Sequence, residues 1–81
     1  MSKLVRIEVE LFGPLNSPQG KKFVKEIERN ISIEKFMTVE LKYKKEVSGF
    51  FVYTINGKSA DKYTTLRDGN KLGVFHPIGG G

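Results

Sequence analysis

A chain of 81 residues has room for one compact core, but not for a core and a deep substrate cavity besides. Hydrophobic residues make up 38% and charged residues 28%, an ordinary globular mixture, and no apolar run is long enough to cross a bilayer. The absence of cysteine excludes a disulfide framework, a thiolate metal site and a cysteine nucleophile. Met1-Ser2-Lys3-Leu4 has no signal-peptide pattern, so the expected location is the cytoplasm. A net charge of +5 and a pI near 9.6 raise nucleic acid as a partner. The lysines are interleaved, however: Lys21, Lys22 and Lys25 with Glu26 and Glu28, and Lys42, Lys44 and Lys45 between Glu40 and Glu46. Such mixing describes a solvated surface better than a phosphate-tracking stripe, and makes nucleic acid an unfavoured partner.

From Lys3 to Phe12 the chain alternates, with Val5, Ile7, Val9 and Leu11 on one side and Arg6, Glu8 and Glu10 on the other, the pattern of a half-buried strand. Gly13-Pro14 ends it, and Leu15 to Gly20 reads as a loop. Lys21 to Arg29 is read as the second strand of a hairpin, although Phe23, Val24 and Ile27 would also share one helical face. Ser32 is placed to cap a helix that carries Ile33, Phe36, Met37, Leu41 and Lys44 at spacings of three and four. The helix is expected to end near Tyr43, before a polar segment from Lys44 to Gly49.

Phe50 to Ile55 is apolar and rich in β formers, hence a strand, followed by the tight-turn pair Asn56-Gly57. Ser59 to Leu66 reads as an irregular connection, and Asp68-Gly69 as a second turn. Leu72 to Phe75 forms the last strand, which Pro77 stops. The order strand, strand, helix, strand, loop, strand predicts a two-layer α+β domain with one main helix across a mixed sheet of four to five strands. The first and last strands can pair in parallel at its centre. Residues 1–78 form the domain and 79–81 a flexible glycine tail.

Catalytic candidates are absent. His76 has no serine or carboxylate at a triad spacing and reads as a surface side chain, while Asp61 and Asp68 lie in turn-like sequence, where aspartate bonds its own backbone. No metal-ligand cluster or phosphate loop is present, so no bound cofactor or metal is expected. The chain closes instead on Gly79-Gly80-Gly81, reached through Phe75 and Pro77. Without Cβ atoms, such a stretch can enter a channel too narrow for other residues, and from Pro77 to Gly81 it extends about 16 Å.

Three segments resemble the closing part of the ThiS/MoaD family of β-grasp (ubiquitin-like) sulfur carriers. They are Ile55-Asn56-Gly57, Thr65-Leu66-Arg67-Asp68-Gly69-Asn70, and Val74-Phe75-His76-Pro77-Ile78-Gly79-Gly80-Gly81. The resemblance covers the last third of the chain by motif and the remainder by element order. It implies that the chain is a carrier and co-substrate, not an enzyme. An ATP-consuming partner of the ubiquitin-activating type would adenylate the Gly81 carboxylate, with Gly80 as its flexible neighbour. Sulfur from a cysteine desulfurase or rhodanese would then convert it to a thiocarboxylate. The F-x-P ending leans toward the small subunit of molybdopterin synthase, with that enzyme's large subunit as acceptor. A thiamine-pathway carrier and a protein modifier joined to lysines through Gly81 are the alternatives, and a small basic nucleic-acid-binding domain a more distant one.

His76 stands where the family commonly has a second proline, and Gly79 where it has alanine, serine or threonine, which loosens the tail. Phe75, Pro77, Ile78 and Gly79 are implied to contact partners. Phe50 and Val52 are expected on the same outer face as Phe75, opposite Phe51, Tyr53 and Ile55. These apolar side chains form either a docking patch or packing under the loop from Ser59 to Leu66.

Overall fold

The computed structural model describes residues 3–77. Strand β1 (Leu4–Leu11) follows its alternation, with Val5, Ile7, Val9 and Leu11 buried and the residues between them exposed. Lys21 to Arg29 is strand: β2 (Lys22–Glu28) pairs antiparallel with β1, placing Val5 opposite Ile27 and Val9 opposite Phe23. The helical alternative fails because Phe23 and Ile27 face the core with Lys25 between them, while Val24 lies on the wet face.

Ser32 caps the helix as expected, its Oγ accepting from the Lys35 amide at 3.2 Å. The helix ends earlier than the apolar spacing predicts. A single α turn, α1 (Ile33–Lys35), widens into a π-helical turn over Phe36–Glu40. Leu41 N donates to Phe36 O at 3.1 Å and Tyr43 N to Met37 O at 3.0 Å, both longer-range than α bonds. Lys42, at φ 62°, then turns the chain through the left-handed region. This widening lets Leu41 and Tyr43 pack on the core from outside any helix. Within the segment expected to be an irregular polar stretch lies a second helical turn, α2 (Lys45–Ser48).

Strand β3 (Val52–Ile55) is shorter than expected, because Phe50 N and Phe51 N are held by Val47 O and Ser48 O at 3.1 Å. Asn56, at φ 53°, and Gly57, at φ 84°, make the predicted turn. It leads into β4 (Lys58–Ala60), an edge strand that takes up the start of the expected connection. Strand β5 (Lys71–Phe75) completes a five-stranded sheet of order β2-β1-β5-β3-β4. It pairs in parallel with β1 and antiparallel with β3, so the last strand is central, as predicted.

The core lies between the sheet and the helical layer. Ile7, Val9, Leu11, Ile27, Leu72 and Val74 come from the sheet, Ile33, Phe36 and Met37 from the helix, and Leu66 from the loop. That loop fastens the helix to the structure: Ile33 N donates to Thr64 O, Glu34 N to Lys62 O and Leu66 N to Ile31 O, all within 2.9 Å. Among the described residues no helix is long and apolar enough to cross a membrane.

Candidate functional site

The site is the arm that runs from the Asp68-Gly69 turn through β5 to Pro77. At its start, the Asp68 carboxylate does not bond its own turn. It accepts from the Arg6 amide at 2.8 Å, and Gly69 N returns a bond to Arg6 O at 2.8 Å. Asn70 Oδ1 takes the Arg67 amide at 2.7 Å, and Asn56 Oδ1 takes the Lys71 amide at 2.9 Å. The motif residues Asn56, Asp68 and Asn70 thus fasten the base of β5 to both neighbouring strands. Asp61 behaves as expected, accepting from Tyr63 N at 2.8 Å within its own turn.

Along β5 the side chains divide. Leu72 and Val74 enter the core, while Lys71, Gly73 and Phe75 face outward. Phe75 is half-buried rather than free, because its ring stacks on Phe12 with centroids 4.3 Å apart and planes 2° from parallel. The stack follows from register: Leu11 lies opposite Val74, and Phe12 N donates to Val74 O at 2.9 Å, which brings Phe12 beside Phe75. Gly73 lies under the stack. A Cβ there would sit 2.4 Å from Thr54 Oγ1 and 3.3 Å from the Phe75 ring, so any larger residue would displace Thr54 and crowd the stack. Phe12 has no place in the sequence-based site; its outward parity was readable, but its neighbour depends on a parallel register that no local pattern fixes.

Val52 lies opposite Phe75 in the β3–β5 register and is 49% exposed, extending this outer patch. Phe50 departs from the expectation that it shares that face. Held just after α2 by its amide bond to Val47 O, it is 74% exposed and lines an open depression of 470 Å³ with Glu46, Val47, His76 and Pro77. The loop from Ser59 to Leu66 packs on the start of the helix; Ala60, Asp61 and Lys62 border Val52 across a shallow hollow, but leave it 49% exposed, and Phe50 stands clear. Two small apolar surfaces therefore flank the root of the tail. Phe12, Phe75 and Val52 form one on the outer face, and Val47, Phe50 and Pro77 the other on the helical side.

His76 is exposed and rests against Phe51, with ring centroids 5.6 Å apart. Among the described residues no group of His, Cys, Asp and Glu could hold a metal. Tyr53 is the buried titratable group: its hydroxyl donates to Ser48 O at 2.7 Å, and desolvation pushes its pKa up to about 12. It ties β3 to α2. Ile78, Gly79, Gly80 and Gly81 lie outside the described residues.

No protein-family model and no curated protein matches the sequence. Solved structures do match, over nearly the whole chain. The HVO 2177 protein of Haloferax volcanii is 19% identical, with a TM-score of 0.73, covering 100% of this chain and 91% of that one. SAMP1 from Haloferax volcanii is 17% identical, with a TM-score of 0.69, covering 94% and 99%. A chain of the complex of subunits 1 and 2 of the molybdopterin-converting factor from Helicobacter pylori is 24% identical, with a TM-score of 0.59, covering 95% and 100%. Likeness at these identities establishes the architecture: the chain is a β-grasp domain of the ubiquitin-like kind.

Proposed function

We propose that the chain is a carrier activated at the Gly81 carboxylate, and that it serves as a sulfur carrier in molybdopterin synthesis. The observation that carries this reading is the arm itself. Asn56, Asp68 and Asn70 anchor the base of a central strand, and exposed apolar side chains surround its exit, where His76-Pro77 leads on toward the glycines. The match of these positions to the carrier motif, and the fold shared with a chain of the molybdopterin-converting factor complex, support it.

A free carboxylate is a poor acyl electrophile. In the proposed sequence, a ubiquitin-activating-type enzyme brings ATP, and a Gly81 carboxylate oxygen attacks its α-phosphorus, releasing pyrophosphate. A partner's persulfide then displaces AMP from the acyl adenylate. A second partner thiol cleaves the sulfur–sulfur bond, leaving the thiocarboxylate on Gly81 and a disulfide on the partners. Both thiols come from partners such as a desulfurase or rhodanese, since this chain has no cysteine. Its own residues contribute display and docking, through Phe75, Val52, Phe50 and Pro77, with Ile78, Gly79 and Gly80 as the thread. Acceptance by a molybdopterin synthase large subunit completes the role.

The test is intact mass spectrometry after incubation with ATP, an adenylating enzyme and a sulfur donor. The expected change replaces one oxygen by sulfur at Gly81, and deleting Gly81 abolishes it without altering the unfolding midpoint. A fold shared with SAMP1, whose solved structure is also described as that of a small archaeal modifier protein, supports a second reading, in which the activated carboxylate passes to a lysine amine. Isopeptide-linked conjugates in place of the thiocarboxylate would decide for it.

A further inference from the structure

Along the chain the lysines and glutamates are mixed, but folding sorts them. Lys21 and Lys22 open β2 beside the end of β1: Leu11 N donates to Lys21 O at 2.7 Å, and the Lys21 Nζ donates to Gly13 O. Leu11 lies opposite Val74, one residue before Phe75. On the other side, Lys42, Lys44 and Lys45 flank Tyr43, whose ring meets Phe51 edge-on at 5.3 Å. Phe51 in turn contacts His76. Two lysine groups, twenty residues apart in sequence, therefore converge on the root of the tail.

All five side chains are exposed, and none belongs to the three ion pairs among the described residues. The acids at this end outside those ion pairs are Glu10, opposite Lys22, Glu46, beside Val47, and Asp61, which lines a hollow with Gly49, Phe51 and Val52. Five lysines thus face three carboxylates. At the far end of the sheet Arg29 and Arg67 share a pocket with Asp68, and Lys3 and Glu28 adjoin Arg29, so three cations there face two acids. Lys44 and Lys45 adjoin Val47, 42% exposed, which with Phe50, 74% exposed, lines a depression whose own charged side chain is Glu46. An apolar centre within a charged rim is the anatomy of a protein-docking surface. Strand-binding nucleic-acid sites instead lay aromatics along a basic groove, and here the exposed ring sits in one depression.

We propose that this rim guides one kind of partner, a protein that carries carboxylates around the apolar mouth of the channel that receives the tail. The inference rests on the carrier reading for its biological setting and on the charge distribution for its physics. Rim charges act on encounter more than on the final contact, and added salt screens them.

The experiment follows pyrophosphate release when an adenylating enzyme of the ubiquitin-activating type acts on the full chain at increasing sodium chloride. Changing Lys42, Lys44 and Lys45 together to glutamate is expected to lower kcat/KM by about tenfold or more at low salt, with kcat preserved and the salt dependence flattened. The corresponding triple change to glutamine gives an intermediate fall, and Arg29→Glu with Arg67→Glu at the far end changes little. Equal losses from the two ends overturn the proposal.

Failure of any such enzyme to adenylate the unaltered chain would count against the carrier reading alone. An amide chemical-shift titration of the full chain with a hexaglutamate peptide then decides the matter. Shifts concentrated at 21–22 and 42–47 support the rim. Shifts centred on Arg29 and Arg67, no shifts, or tighter binding of a uridine hexanucleotide overturn it.

Discussion

The two ends of β5 are built to opposite rules. At its base, three polar side chains from two turns satisfy backbone amides of β1, β5 and the loop before it, and Leu66 is buried beneath. At its finish, Phe12 and Phe75 stack on the open face of the sheet, while Phe50 and Val47 stand in solvent. Leu4 is exposed at the base, but the finish gathers Phe12, Phe75, Val52, Phe50 and Val47, and under the carrier reading such clustering suits the end that meets another molecule. Variants at the base should therefore cost stability, and variants at the finish should cost partner binding.

The largest effect is expected from Leu66→Ala, which empties a fully buried site and should cost about 2–5 kcal/mol, read from denaturant midpoints. Asp68→Ala comes next. It removes the acceptor of the Arg6 amide and should cost about 1–2 kcal/mol, with faster hydrogen exchange at Arg6 marking the site. Tyr53→Phe removes one of the two donors to the Ser48 carbonyl, which keeps the Phe51 amide, and should cost about 1 kcal/mol at neutral pH.

Tyr53 also carries a pH signature. Burial raises its pKa from 10.0 to about 12, so the folded state holds the phenol proton more tightly than the unfolded chain. Its contribution is therefore complete below pH 10 and is lost as pH climbs from 10 to about 12. The phenylalanine variant should lose that part of the alkaline slope and keep the part from Tyr43, whose pKa is also raised by burial. The smallest stability change belongs to Phe50→Ser, within about 0.5 kcal/mol, since the ring is largely in solvent. Its adenylation kcat/KM should nonetheless fall several-fold; unchanged kinetics beside a large stability loss would erase the contrast between the ends.

Much of this was legible in the residues. Strict alternation gave β1 its inner and outer faces, Ser32 gave the helix its start, and Asn56-Gly57 and Asp68-Gly69 gave the turns their places. The helix end was misread because apolar spacing predicts a regular helix, and a π turn followed by a left-handed lysine serves the same burial. The turn α2 and the strand β4 were missed because each is a few residues long and polar, stabilised by contacts made elsewhere in the chain. In the site, Phe75 and Val52 were visible as outward residues, but Phe12 and the gathering of lysines arise only when the strands take up their register. Long-range pairing decides those, and local sequence does not encode it.

The parallel pairing of β1 with β5 has a consequence for how the molecule comes into being. The β1–β2 and β3–β4 hairpins touch the rest of the sheet through β5, so until that strand emerges from the ribosome the two halves have no common rung. A nascent chain halted before Val74 would leave the inward residues of both hairpins open to chaperones and proteases. The segment that leads to the glycines is thus also the one that completes the sheet.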